Sequence, residues 1–321
     1  MAGGDAGRRV GIMNVQPTDF SASAGRPAGG ARVPVRVVVN ANASATLTPA
    51  ERDDLAGALH AAGADVDLVL THSLAELAAV WHDDDGRRLV LVGGDGTIHA
   101  AANMDGPPRD VALIPAGKAN NIARSTQIPA GRCLAARLAV RGAVRPLDLI
   151  EARTAQRRRL VVESVSVGFL AQARVRYHGR NSADVVAALR AGGGALRAFR
   201  PLGAHVTTPG GGDETLRLSQ LFVANLPFYE FGLRVAPQAD PTDATLDLIG
   251  IDAPTRLAVL RMIGELRRGR HLPYHGVHAW RARTATITTG GCSPVVADSE
   301  NLGTGPVELR AVAGALQLVR P

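Results

Sequence analysis

Short apolar runs alternate with segments of helical period through the first half of this chain. Val33–Asn40 (V-P-V-R-V-V-V-N), Leu89–Val92 and Val111–Ile114 read as buried strands, and Val66–Leu70 as a further strand. Thr48-Pro49-Ala50-Glu51 opens a helix, with Thr48 as cap, proline at the first helical position and Glu51 closing a capping box. Leu55 and Leu59 share one face of it, and Gly63 ends it. Ser73 with Glu76 starts a second helix over Leu74–His82. Shorter helices are predicted at Asn121–Ser125, stopped by Pro129, and at Leu134–Val140. The βαβαβ order implies a parallel sheet with helices on both faces and a ligand site at the carboxyl ends of the strands.

After a strand beginning at Pro146–Ile150 the texture changes. Leu160–Val167, His205–Thr208, Leu216–Ala224, Thr245–Ile251, Thr284–Thr288 and Leu316–Val319 are β-like runs separated by Gly, Pro and Asp. Helical stretches at Ala183–Phe199 and Thr255–Arg267 interrupt them. The fold class is therefore an α/β N-terminal domain followed by an antiparallel β domain with inserted helices. The boundaries read as a disordered leader over 1–31, an α/β domain over 32–147 and a β domain over 148–321.

Composition changes this picture in two places. The net charge of +7 is uneven, because residues 148–321 hold 21 Lys and Arg against 15 Asp and Glu, a net of +6. A basic second half suits an anionic partner, although an arginine-rich, lysine-poor chain also follows from a GC-rich genome. Arg157-Arg158-Arg159 and Arg267-Arg268-Gly269-Arg270 are the densest runs; they suit anionic lipid headgroups, although a charge run is usually a solvated face, and the lack of interleaved aromatics argues against nucleic acid. No run is long and apolar enough to span a bilayer, and Cys133 and Cys292 form neither a zinc set nor a disulfide framework. The default setting is cytoplasmic, with peripheral attachment to the inner membrane face as an option. His271, His275 and His278 have metal-like spacing, but no neighbouring acid or thiol completes a site, and they read as surface loop.

The chemistry concentrates in two turns. Gly93-Gly94-Asp95-Gly96-Thr97 follows the third strand and leads into a helix. An isolated Asp-Gly is a plain turn, but glycines at a strand end before a helix present free N–H groups, as phosphate sites do. Asp95 there suits either holding Mg²⁺ on phosphate oxygens or taking a proton. The second turn, Pro115-Ala116-Gly117-Lys118-Ala119-Asn120-Asn121, places the only lysine and an amide one strand further along.

Together, G-G-D-G-T and I-P-x-G-x-x-N-x-x-A-R-x-x-x-I-P resemble the diacylglycerol kinase catalytic family, which includes sphingosine and bacterial lipid kinases; NAD kinases share G-G-D-G. Val223-Ala224-Asn225, Ala236-Pro237-Gln238-Ala239, Asp243–Asp247 and Asp298-Ser299-Glu300 resemble later motifs of that family, in order. The resemblance spans roughly Val33 to Pro321. It implies a nucleotide domain, a β-sandwich domain that presents the lipid at the membrane surface, and ATP and Mg²⁺ as cofactors. It further implies Asn40, Gly93, Gly94, Gly96, Thr97, Gly117, Lys118 and Asn120 as nucleotide-binding residues. Asp95 and Glu300 would be catalytic, and Asp243 and Thr245 would hold a structural Mg²⁺. Oligomeric state is open, a homodimer being one option.

Several positions depart from the family pattern. The first-strand loop Asn40–Ala45 lacks the proline and glycine of the family's phosphate turn; Ala100 stands for a glutamate, Asn121 for an aspartate, and Ala244 and Ser299 for glycines. These departures keep a second class open, a weak or inactive homologue that binds nucleotide or lipid as a sensor or carrier. NAD kinase is a third reading, disfavoured by the Asn225 and Asp298–Glu300 segments.

Overall fold

The computed structural model describes residues 31–41, 47–177, 185–209, 212–291 and 293–321; the leader, most of the turn after Asn40 and Cys292 lie outside them. Strands β1 (Val33–Asn40), β2 (Ala64–Thr71), β3 (Arg88–Gly93) and β4 (Asp110–Pro115) run parallel in the order β2-β1-β3-β4. Their central members alternate between two apolar cores. Val35, Val37, Val39, Val90, Val92 and Ile114 face helices α1 (Pro49–Ala62) and α5 (Arg132–Arg141). Val38, Leu89, Leu91, Val111 and Leu113 face α2 (Leu74–His82), α3 (Asp95–Ala101) and α4 (Asn121–Ser125). Burial on both faces is why these strands are near-continuous runs of Val, Leu and Ile. The capping box at Thr48 and Glu51 forms, and Gly63 closes α1 in a left-handed conformation.

The second half continues with β5 (Ala143–Arg153), β6 (Arg158–Val161), β7 (Ser164–Gly168), α6 (Phe169–Arg176) and α7 (Val185–Arg197). Next come β8 (Leu202–Thr208), β9 (Gly212–Leu218), β10 (Gln220–Ala224), the short pair β11 (Phe228–Tyr229) and β12 (Leu233–Arg234), and β13 (Leu246–Ile251). The chain ends with α8 (Arg256–Arg268), β14 (Val277–Ala282), β15 (Thr284–Thr289), β16 (Pro294–Ala297), β17 (Glu300–Thr304) and β18 (Val307–Arg320). A six-stranded sheet, β14-β13-β10-β7-β16-β17, is antiparallel throughout. It packs its inner face on β8, β9, β15 and the start of β18, with Val165, Val223, Leu248 and Ile287 in the shared core. An α/β sheet with flanking helices thus precedes an antiparallel β domain, as the patterning predicts.

Two runs that read as single strands are each divided. Leu160–Val167 holds the end of β6 and most of β7, and Leu216–Ala224 holds the end of β9 and all of β10. In both cases the chain crosses from one sheet to the other. Both sheets face the same core, so the apolar run continues across the crossing and hides it. At Ser219 the crossing is held by its N–H and hydroxyl, which both donate to the Ile251 carbonyl at 2.7 and 2.8 Å.

Strand β18 decides how the halves are joined. It pairs antiparallel with β15 at its start and with β5 along its length, then parallel with β4 at Gln317 and Leu318. A register shift between Val312 and Leu316 bends it, and the Gly314 N–H there donates to the buried Asp148 carboxylate at 2.8 Å. Residues Arg32–Pro321 form one compact unit.

Candidate active site

The two glycine turns touch. A Cβ on Gly117 would sit 2.6 Å from the Gly94 Cα, and one on Gly94 would sit 3.0 Å from the Gly117 Cα. Close backbone approach between the loops therefore demands glycine at both positions, whereas a Cβ at Gly96 would meet open space. The Asn120 side chain folds back on the same loop, accepting from Gly117 N at 3.0 Å and donating to its carbonyl at 2.9 Å. Asn120 is itself left-handed, at φ 47°. Its amide shapes the turn. Lys118 is exposed on that turn.

Asp95 links the loops to each other. Its carboxylate oxygens accept from Asn121 N at 3.1 Å and Ile122 N at 2.9 Å, satisfying the first free N–H groups of α4. Asn40, Gly96 and Thr97, with Thr71, Ser73 and Leu77, line a cleft of about 190 Å³ at the strand ends. The turn that starts α3 floors that cleft through Gly96 and Thr97, while Gly117, Lys118 and Asn120 of the second turn are not among its lining residues.

Behind the turns lies a cluster that sequence reasoning did not assemble. His99, on the buried side of α3, places Nε2 2.9 Å from Glu163 Oε1 and 3.7 Å from Asp298 Oδ2. The Asn121 amide donates to Glu163 Oε2 at 3.1 Å, and the Asp298 carboxylate accepts from Val162 N at 2.6 Å and Glu163 N at 2.8 Å. All four side chains are buried, and Asn121 Oδ1 and Ser164 Oγ are buried without a partner. Burial alone would discharge His99, but Asp298 and Glu163 outweigh it and hold the imidazole up at about 9. Glu163 is pushed up to about 7, chiefly by burial, with His99 opposing. The signal in the sequence was the one charged residue in a run otherwise of Leu, Val and Ser, Leu160–Val167.

Of the two carboxylates in the Asp298-Ser299-Glu300 segment, Asp298 is the one that enters this cluster. Glu300 has a side chain 44% exposed and pairs with Arg159 at 2.8 Å. Asp298 and Ser299 both take left-handed φ, 44° and 70°, so the turn keeps its form although serine stands where the family has glycine. The Ser299 hydroxyl donates to Glu230 at 2.5 Å, and Glu230 in turn pairs with Arg174 at 2.9 Å. Ala244 likewise keeps a left-handed φ of 54°, its N–H donating to Asp148 at 2.7 Å.

Asp243 faces a cation that the chain itself supplies. Arg281 bonds the Asp243 carboxylate and lies 3.3 Å from Asp247. Thr245 Oγ1 donates to the Asp243 carbonyl at 3.1 Å, and Asp243 Oδ1 is buried without a partner. A single guanidinium thus serves two acids, an arrangement that competes with the structural Mg²⁺ which the family resemblance implies at Asp243 and Thr245. Chelation with EDTA should leave the melting temperature unchanged, while Arg281→Ala should cost about 1–2 kcal/mol by stranding Asp247. A melting temperature that falls on chelation would restore the metal. Elsewhere, His271 is fully buried against the Val235 carbonyl at 2.9 Å, so it is not surface loop.

A cleft at the carboxyl ends of a parallel α/β sheet, floored by the first glycine turn, is where proteins of this class bind their ligands. Residues 34–152 match the diacylglycerol kinase catalytic domain, and residues 163–320 match the YegS C-terminal NAD kinase beta sandwich-like domain. The chain thus joins a match to the diacylglycerol kinase catalytic domain with a match to the YegS C-terminal domain, in that order. It is 28% identical over 259 residues to a diacylglycerol kinase of Mycobacterium tuberculosis, covering 78% of this chain and 81% of that one. It is also 26% identical over 249 residues to YtlR of Bacillus subtilis, provisionally named a lipid kinase, covering 72% and 80%. A crystal structure of a Bacillus anthracis protein, provisionally called a diacylglycerol kinase, superposes with a TM-score of 0.73 at 16% identity, covering 92% and 98%. An NAD kinase from Archaeoglobus fulgidus in complex with ATP reaches 0.50, which relates the folds.

Proposed function

We propose that this chain is an ATP-dependent lipid kinase that transfers the γ-phosphoryl group to a hydroxyl of diacylglycerol or a similar lipid. The observation that carries the reading is the buried link between the phosphate-side turn and the β-domain turn. Asp95 holds α4, and Asn121 of α4 holds Glu163. Glu163 and Asp298 share His99, which returns to the helix that Asp95 begins. Phosphoryl transfer needs in-line positioning and a group to take the alcohol proton. In this reading the lipid hydroxyl oxygen attacks the γ-phosphorus and the bond to the bridging oxygen breaks, releasing ADP. The proton passes to the buried carboxylate cluster, whose Glu163, held near 7, is poised to take it. Mg²⁺ arriving with the nucleotide would neutralise phosphate charge on the Asp95 side.

Lys118 is proposed to bind phosphate directly, compensating for the missing family residues. Lys118→Ala should then raise the KM for ATP several-fold with kcat little changed; an unchanged KM would remove that role. The test of the whole reading is purified protein incubated with labelled ATP and a mixed lipid extract, with products separated by chromatography. A labelled lipid identifies both activity and acceptor. Ala100 and Asn121 favour the second reading, a nucleotide- or lipid-binding homologue without turnover, which bound nucleotide with no labelled product would support.

A further inference from the structure

Of the two arginine runs, the first has two of its three members paired with acids. Arg158 pairs with Glu151 at 2.5 Å and Arg159 with Glu300 at 2.8 Å. The second run closes α8, and that helix presents an unusual outer face. Val259, Met262, Ile263 and Leu266 pack inward with Phe222, Ile249 and Ile251. A helix so anchored ordinarily turns polar residues to solvent. Here Leu257 and Leu260, one turn apart, are 77% and 50% exposed.

Guanidinium groups surround these leucines. Residues 256–270 contain five arginines (256, 261, 267, 268 and 270) against a single acid, Glu265, a net of +4. All five arginines are exposed. Arg256 donates to the Arg197 carbonyl at 2.8 Å, which seats the start of α8 against the end of α7, where Arg197 and Arg200 extend the positive face. Tyr274, exposed beyond the helix, lies under Arg261 at 5.8 Å.

Protruding apolar side chains set among arginines on a short, packed helix match the chemistry of a bilayer interface. The leucines would enter the acyl boundary while the guanidinium groups meet lipid phosphates. A protein partner would need acids matched to each arginine; a layer of anionic headgroups supplies that charge without register. We propose that the outer face of α8 docks this protein on membranes rich in acidic phospholipid. The inference concerns where the protein sits and is independent of turnover, although it would bring the β domain to the lipid that the proposed reaction consumes.

The test is sedimentation of the full chain, without ATP, with vesicles of phosphatidylglycerol and phosphatidylcholine in equal parts or of phosphatidylcholine alone. Binding should require the acidic lipid and weaken with salt. Arg267→Glu with Arg268→Glu should lower the partition coefficient at least about tenfold, at roughly 1 kcal/mol per arginine near the surface. Leu257→Asp with Leu260→Asp should lower it by about as much, and both variants should keep the wild-type melting temperature because these side chains face solvent. Equal binding to neutral vesicles, or wild-type binding by both variants, overturns the proposal. So does a leucine variant that changes oligomeric state while its lipid binding stays intact. A protein that docks but transfers no phosphate leaves this inference standing and removes the kinase reading; an active protein that fails to dock does the reverse.

Discussion

Asp95→Asn should reduce lipid-dependent ATP consumption by at least about a hundredfold, by misplacing the phosphate-side turn and the Asn121–Glu163 link, while costing only about 1 kcal/mol of stability. The asymmetry follows from what the side chain touches. Asparagine is itself a good helix cap, so one of the bonds to Asn121 N and Ile122 N survives and α4 stays formed. The negative charge and the second acceptor do not survive. Their loss affects the phosphate-side turn and, through Asn121, the orientation of Glu163. The paired measurement is steady-state turnover and thermal unfolding of the same preparation. Retained turnover at unchanged stability would refute the assignment of Asp95 to the reaction, and lost turnover with wholesale unfolding would reduce Asp95 to a structural cap. Asp298→Asn makes a sharp comparison, because its amide would oppose the Val162 and Glu163 N–H donors.

Stability should fall as the pH rises from about 6.5 through about 9, because His99 releases its proton in the folded protein only near the top of that range. The sign is set by the raised value. The folded state binds the proton more tightly than the unfolded chain, so the contribution is complete below the unfolded value and lost on the alkaline side. Glu163 acts in the same direction, since its raised value also makes the folded state the better proton binder. The His99 shift makes this alkaline limb of the order of 3 kcal/mol, while the Glu163 contribution is lost lower, between about 4.5 and about 7. His99→Gln should flatten the alkaline limb and lower stability at neutral pH, because Glu163 and Asp298 then share a buried site without a cation. A variant that keeps the wild-type alkaline limb would remove His99 as its cause.

Much of the fold was legible because its signals are local. The caps at Thr48 and Ser73, the helix over Leu74–His82 and the four parallel strands, three buried and β2 a half-buried edge, depend on residues within a few positions of one another. What escaped were elements defined by a distant partner. Strand β18 shows as an apolar run only near its end, because its first half alternates Val307, Glu308, Leu309 and Arg310. Strand β14, V-H-A-W-R-A, hides for a similar reason, being only half-buried along its length beside β13.

The candidate site divides in the same way. From residue order alone came the two turns, the carboxylate Asp95, the family and the order of the later motifs. These are strand–turn–helix units, and their backbone demands appear in neighbouring residues. Tertiary structure alone decided that Gly94 and Gly117 face each other, that Arg281 pairs with Asp243 and Asp247, and that Asp298 joins His99 and Glu163. Glu163 and Asp298 are 135 residues apart and His99 lies 64 residues before Glu163, so no spacing announces the cluster. The reason is physical. A turn is specified by the conformational limits of its own few residues, whereas a buried charge is tolerable only where the folded chain brings its counter-charge.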